Sequence, residues 1–122
     1  MPQIPFERVA REILGTEHEL SLVLCGDALA RKMNRRYRLP ALKLRQAGKK
    51  SYAANVLSFP LSKSEGEIFL NIRAAEREAK RFGVPVRERL ILLFAHGCLH
   101  LQGRKHGKNM EREEARLVKT FR

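Results

Sequence analysis

Three histidines, His96, His100 and His106 in the segment HGCLHLQGRKH, carry the clearest chemistry in this chain. Histidines four apart on a helix project to the same side within about one turn. Gly103 then lets the chain reverse, so His106 can return toward the first two. Two imidazoles buried on one face of a strongly apolar helix without a partner would cost several kcal/mol in unsatisfied polar groups. A divalent metal removes that cost. Three neutral imidazoles around zinc leave a fourth tetrahedral position open for water, as in catalytic rather than structural sites. The spacing therefore predicts one Zn2+ per chain, held by His96, His100 and His106. His18 stands apart in a polar segment and receives no role.

The spacing HxxxHxxGxxH is similar to that of the metzincin zinc proteases, which place Glu directly after the first histidine. Here that position is Gly97. The usual general base for peptide hydrolysis is missing, which disfavours a protease.

Charge narrows the substrate class. The 122 residues carry a net charge of +12, and from Ala28 to Ser64 there are ten Lys or Arg residues and no acid. A solvated basic face normally mixes in acids, because i,i+4 pairs relieve repulsion. An acid-free stretch of this length points to a polyanion. Within it Arg31, Lys32 and Arg35 lie outside the apolar stripe of a helix, and Lys49 and Lys50 lie in a loop. These five, with Lys105 beside a metal ligand, are the expected contacts to that polyanion, which the family resemblance given below implies is RNA. The N-terminus has no signal-peptide pattern and the longest apolar run is too short to span a bilayer, so a soluble cytoplasmic protein is expected. Cys25 and Cys98 form no metal-binding pair and are expected as buried, reduced thiols.

The elements that must position these residues follow from pattern. Pro5 to Leu14 predicts a helix ended by Gly15, and Leu20 to Cys25 a buried strand. Asp27 is expected to cap a helix running to about Tyr37, with Leu29, Met33 and Tyr37 toward the core. Residues 38–52 show no clear period. Val56 to Pro60 and Glu67 to Asn71 predict two strands joined through a turn at Lys63 to Gly66. Asn71 can cap a helix over Ile72 to Phe82, ended by Gly83, and Pro85 can start one to about Gln102. A last helix runs from Asn109 toward Phe121. The expected fold class is α+β, one domain over 1–122, with a small mixed sheet of about three strands flanked by about five helices. The apolar segment Leu90 to Leu101 is its central buried helix and carries the HxxxH pair.

Several segments resemble one family in order along the chain. HGCLHLQGRKH is similar to the HGxLHLxGxxH motif of the YbeY family of bacterial zinc-dependent endoribonucleases. NVLSFP, GEIFLN, MNRRYR and MEREEARL resemble that family's strands, helix end and acidic helix, from about residue 20 onward. The resemblance implies a metzincin-like core and a single-strand-specific endoribonuclease of ribosomal RNA maturation. That activity is directed at the small-subunit RNA 3′ end and at ribosome quality control. It places the zinc ligands on His96, His100 and His106, and the family's functional arginine, next to Tyr37, on Arg38. Lys105 stands where the family usually has Asp, and the loop after Arg38 is longer and more basic than is typical. Glu111, Glu113 and Glu114 are near enough to be considered as a base, but charge alternation there favours a solvated face. A noncatalytic RNA-binding zinc protein of the ribosome is the alternative reading, and a zinc protease a weaker one.

Overall fold

The computed structural model describes residues 3–37, 53–103 and 107–122. Arg38, Lys49, Lys50, Lys105 and His106 lie outside the described residues, as does the Tyr37 side chain. The elements are α1 (Phe6–Leu14), β1 (Glu19–Cys25), α2 (Asp27–Tyr37), β2 (Val56–Ser62), β3 (Glu65–Asn71), α3 (Ile72–Phe82), α4 (Val86–Leu101) and α5 (Lys108–Phe121). Among the described residues this is an α+β arrangement of five helices and one three-stranded mixed sheet, as the sequence predicts. The strand order is β1-β3-β2, with β1 parallel and β2 antiparallel to β3.

Alternation along β3 sorts the two faces of the sheet. Ile68 and Leu70 turn toward α4, in a core with Val9, Leu90, Phe94, Cys98, Leu99 and Leu117. Phe69 turns the other way, joining Leu57 and the half-buried Leu29 and Met33 of α2. The sheet is thus covered by α2 on one face and by α4 on the other. α4 packs in turn against α1, α3 and α5. Leu90, Ile91, Leu93, Phe94, Ala95, Gly97, Cys98 and Leu99 are all buried, which makes α4 the central helix expected from its apolar run. Cys98 is buried and Cys25 half-buried, both as free thiols; burial pushes the Cys98 thiol far above its usual range.

Local chemistry sets the ends of α3. Asn71 accepts the Ala74 N–H at 3.1 Å, the predicted N-cap. Gly83, at φ 68°, closes the other end in the left-handed region that glycine enters most readily.

Three expectations need correction. Asp27 does not spend its carboxylate on capping α2. The carboxylate accepts two hydrogen bonds from Arg77, at 2.8 and 2.9 Å, and one from Asn71 at 2.8 Å. A guanidinium fork offers a stronger, charge-assisted pairing than a backbone amide, and it holds the Asp27 carboxyl well below the usual carboxylate range. Second, Leu29 and Met33 do face the core, half-buried against Leu57 and Phe69, but the fully buried positions of α2 are Ala30 and Asn34, which the expected stripe left out. Third, the hairpin turn is shorter than expected, because Glu65 and Gly66 already belong to β3.

Candidate metal centre

The centre is built on the C-terminal half of α4. From Leu93 to Leu99 every residue except His96 is buried, and His100 is half-buried one turn on. The two rings stand edge to face with centroids 4.6 Å apart. Their Nε2 atoms meet at 3.0 Å. Two tetrahedral zinc ligands at ordinary Zn–N distances would bring their nitrogens to about 3.3 Å of each other. The separation is therefore close to what one shared cation needs.

The protonation pattern points the same way. Nδ1 of His96 pairs with a carboxylate oxygen of Glu114 on α5. The carboxylate accepts, so the His96 proton sits on Nδ1 and Nε2 carries the lone pair that faces His100. This carboxylate–imidazole arrangement fixes the tautomer and ring orientation of metal-binding histidines. The Glu114 side chain is 12% exposed and that of His96 26%. The solvated face expected for Glu114 is thus corrected. α5 packs back on α4 and brings position 114 opposite position 96. No signal in the local sequence could have chosen Glu114 over Glu111 or Glu113, since the choice depends on how the two helices register.

The donor set fits zinc: two imidazoles whose Nε2 atoms converge on one helix face, one anchored by a carboxylate. His106, the expected third ligand, lies outside the described residues, and among the described residues no trio of ligand side chains forms.

Gly97 has a steric reason of its own. A Cβ built there would lie 3.1 Å from Ile68 Cδ1, 3.2 Å from Val56 Cγ2 and 3.4 Å from Ser58 Oγ. The position faces β2 and β3 at close range. A side chain at this position would require Ile68, Val56 and Ser58 to give by a few tenths of an ångström, so packing as well as sequence disfavours the protease-type base.

The expected RNA contacts divide. Arg31, Lys32 and Arg35 come together with Arg36 along a shallow cleft of α2. Lys32 and Arg35 are exposed and Arg31 is half-buried. Because α2 and α4 cover opposite faces of the sheet, this cleft and the histidine pair do not share a face. Asn34 on α2 is a polar residue the sequence reading passed over. It is 6% exposed, with a side-chain oxygen that has no partner among the described residues.

Comparison with known proteins identifies the family. The family model described as Endoribonuclease YbeY matches residues 4–121. An endoribonuclease YbeY of Aromatoleum aromaticum is 35% identical over 116 residues, covering 93% of this chain and 69% of that protein. The one from Helicobacter pylori strain Shi470 is 32% identical over 125 residues, covering 97% of this chain and 81% of its own length. The solution structure of TM1509 from Thermotoga maritima superposes with a TM-score of 0.63 at 23% identity, over 93% of this chain and 73% of that one, and so shares the fold. With a family match over nearly its whole length and relatives above three-tenths identity, the chain belongs to the endoribonuclease YbeY family.

Proposed function

We propose that this chain is a zinc-dependent endoribonuclease for single-stranded RNA. Its proposed place is ribosomal RNA maturation at the small-subunit 3′ end and ribosome quality control in the cytoplasm, with the ribosomal small subunit as partner. On this reading residues 1–122 form a single domain around a metzincin-like core. The observation that carries it is the convergence of the His96 and His100 Nε2 atoms, anchored by Glu114, in a chain whose relatives are named endoribonucleases.

His96, His100 and His106 hold the metal. When bound, zinc supplies Lewis-acid polarisation and water activation near neutral pH. The remaining work falls to the protein. Glu114 keeps the proton on His96 Nδ1, so Nε2 stays a lone-pair donor. Arg38 offers a bidentate guanidinium to phosphate oxygens as negative charge builds on them. Arg31, Lys32, Arg35, Lys49, Lys50 and Lys105 hold the RNA backbone, which supplies most sequence-independent affinity. No described helix is long and apolar enough to cross a membrane.

The test is a parallel incubation with zinc, single-stranded RNA and casein. RNA should be cut and casein left intact. Chelation or His100→Ala should abolish cutting, and Arg38→Ala should lower it by ~10²-fold with zinc content unchanged. RNA that binds the zinc-loaded protein but stays intact would overturn the nuclease reading in favour of a binding module.

A further inference from the structure

Position 97 follows the first histidine of the pair on the same turn of α4. In a zinc protease the side chain there is the glutamate that serves as general base. Here the position is glycine, and three side chains of the sheet meet the space it leaves. Two of them, Ile68 and Val56, are apolar and buried in the α4 core. Ser58 differs. It is polar and half-buried, and its Oγ lies 3.4 Å from where a Cβ of residue 97 would be.

Strand alternation brings Ser58 to that place. Val56 faces α4, whereas Leu57 and Phe59 join the cluster on the α2 side, so the period of two turns Ser58 back toward α4. The strand also keeps pace with the helix. Ser58 pairs with Ile68 at the level of Gly97, and Pro60 pairs with Gly66, where a Cβ would meet Leu101 at 2.8 Å. Two strand residues advance about 6.7 Å and four helical residues about 6 Å. β2 therefore runs alongside the turn from Gly97 to Leu101, which starts next to His96 and contains His100. Burial fades along this path, from buried Val56 and Leu57 through half-buried Ser58 and Phe59 to exposed Pro60. Ser58 stands where the strand leaves the core. Glu114 approaches the same stretch of α4 from α5, so a carboxylate and a hydroxyl reach it from two different elements.

A serine hydroxyl keeps its proton at neutral pH, so it does not replace the missing glutamate as a base. It can donate one hydrogen bond and accept others. Among the described residues the Ser58 side chain makes none. Phosphate oxygens are common acceptors for serine in nucleic-acid contacts, and a bond to a charged acceptor is stronger than a neutral one.

Resting on the nuclease reading above, we propose that Ser58 contacts the substrate at the histidine pair. Its hydroxyl donates a hydrogen bond to a non-bridging oxygen of the RNA phosphate held there. Gly97 is the other half of the arrangement, because a side chain at that position would crowd Oγ.

The test compares Ser58→Ala, which removes the hydroxyl, with Ser58→Thr, which keeps it and suits a strand. Two readouts are taken on the zinc-loaded protein. One is the cutting of single-stranded RNA, and the other a calorimetric titration with uridine 3′-monophosphate, whose phosphate binds without any bond being cut. Ser58→Ala should lower kcat/KM by about 10- to 100-fold, the range for a lost hydrogen bond to a charged group. Nucleotide binding should weaken by about tenfold or more. Zinc content and melting temperature should stay at the native values, and Ser58→Thr should restore most of both losses. Cutting or nucleotide affinity equal to that of the native protein in Ser58→Ala would overturn the proposal. So would a Ser58→Thr variant as impaired as Ser58→Ala, since packing rather than the hydroxyl would then matter. Loss of zinc from Ser58→Ala would also overturn it, by making the serine a support of the metal centre. A native protein that cuts no RNA overturns the nuclease reading instead, and the nucleotide titration alone then decides the role of Ser58.

Discussion

At the scale of single residues, the centre depends on which atom of an imidazole holds its proton. Glu114 settles that for His96 by accepting from Nδ1. Removing the carboxylate frees the ring to rotate and to change tautomer. Glu114→Gln should therefore weaken zinc binding about 10- to 100-fold, the usual range for a lost partner of a metal-binding histidine. Glu111→Gln, on the exposed side of the same helix, should leave it unchanged. A zinc titration against a competing chelator measures both. Equal effects would mean that Glu114 acts only through the net charge of α5. Asp27 makes a second residue-scale case. Its folded pKa is lowered by the Arg77 and Asn71 hydrogen bonds, so the stability it adds is present above the unfolded value, about 4, and is lost as pH falls below it. In urea unfolding, Asp27→Asn should be less stable than the native protein at neutral pH. The gap should close on acidification below about pH 4.

The elements show why most of the fold could be read from sequence and part of the site could not. Asn71 and Gly83 bracket α3, and the unbroken apolar run of α4 announces burial. These are short-range signals, carried by residues that act on their own backbone. The histidine pair on α4 is equally local, because four residues on a helix make one face. The Asp27–Arg77 pair and the Glu114–His96 pair join elements far apart in the chain, and nothing in either segment alone selects the partner. Gly97 lies between these cases: the sequence shows that the protease glutamate is missing, and only the packed sheet shows why. With its Cβ position 3.1 to 3.4 Å from Ile68, Val56 and Ser58, Gly97→Ala should overpack the α4–sheet contact and cost about 1–3 kcal/mol. The gain in helix propensity, about 1 kcal/mol, offsets part of that. Thermal unfolding reads the balance. A variant more stable than the native protein would show that the sheet yields easily, and the steric account of Gly97 would fail.

Over the whole molecule the charge is unevenly distributed along the sequence. The stretch from Ala28 to Ser64 holds ten of the twelve excess positive charges, while residues 1–27 are net acidic. Arg31, Lys32 and Arg35 share the α2 cleft, on the sheet face opposite α4, so RNA held there must pass an edge of the sheet to reach the histidines. Lys49 and Lys50 lie between α2 and β2 in sequence and are further phosphate contacts on the proposed function. Each phosphate neutralised on a single strand contributes about 0.7 to the slope of log affinity against log salt. Lys49→Ala with Lys50→Ala should therefore flatten the slope by up to about 1.4 if both lysines meet phosphates. Affinity for two single-stranded RNAs of unrelated sequence should fall by the same factor, because phosphate contacts carry no base information. Filter binding at several salt concentrations gives both quantities. A slope left unchanged would place these lysines away from the RNA, and an unequal loss between the two sequences would mean that they touch bases rather than backbone.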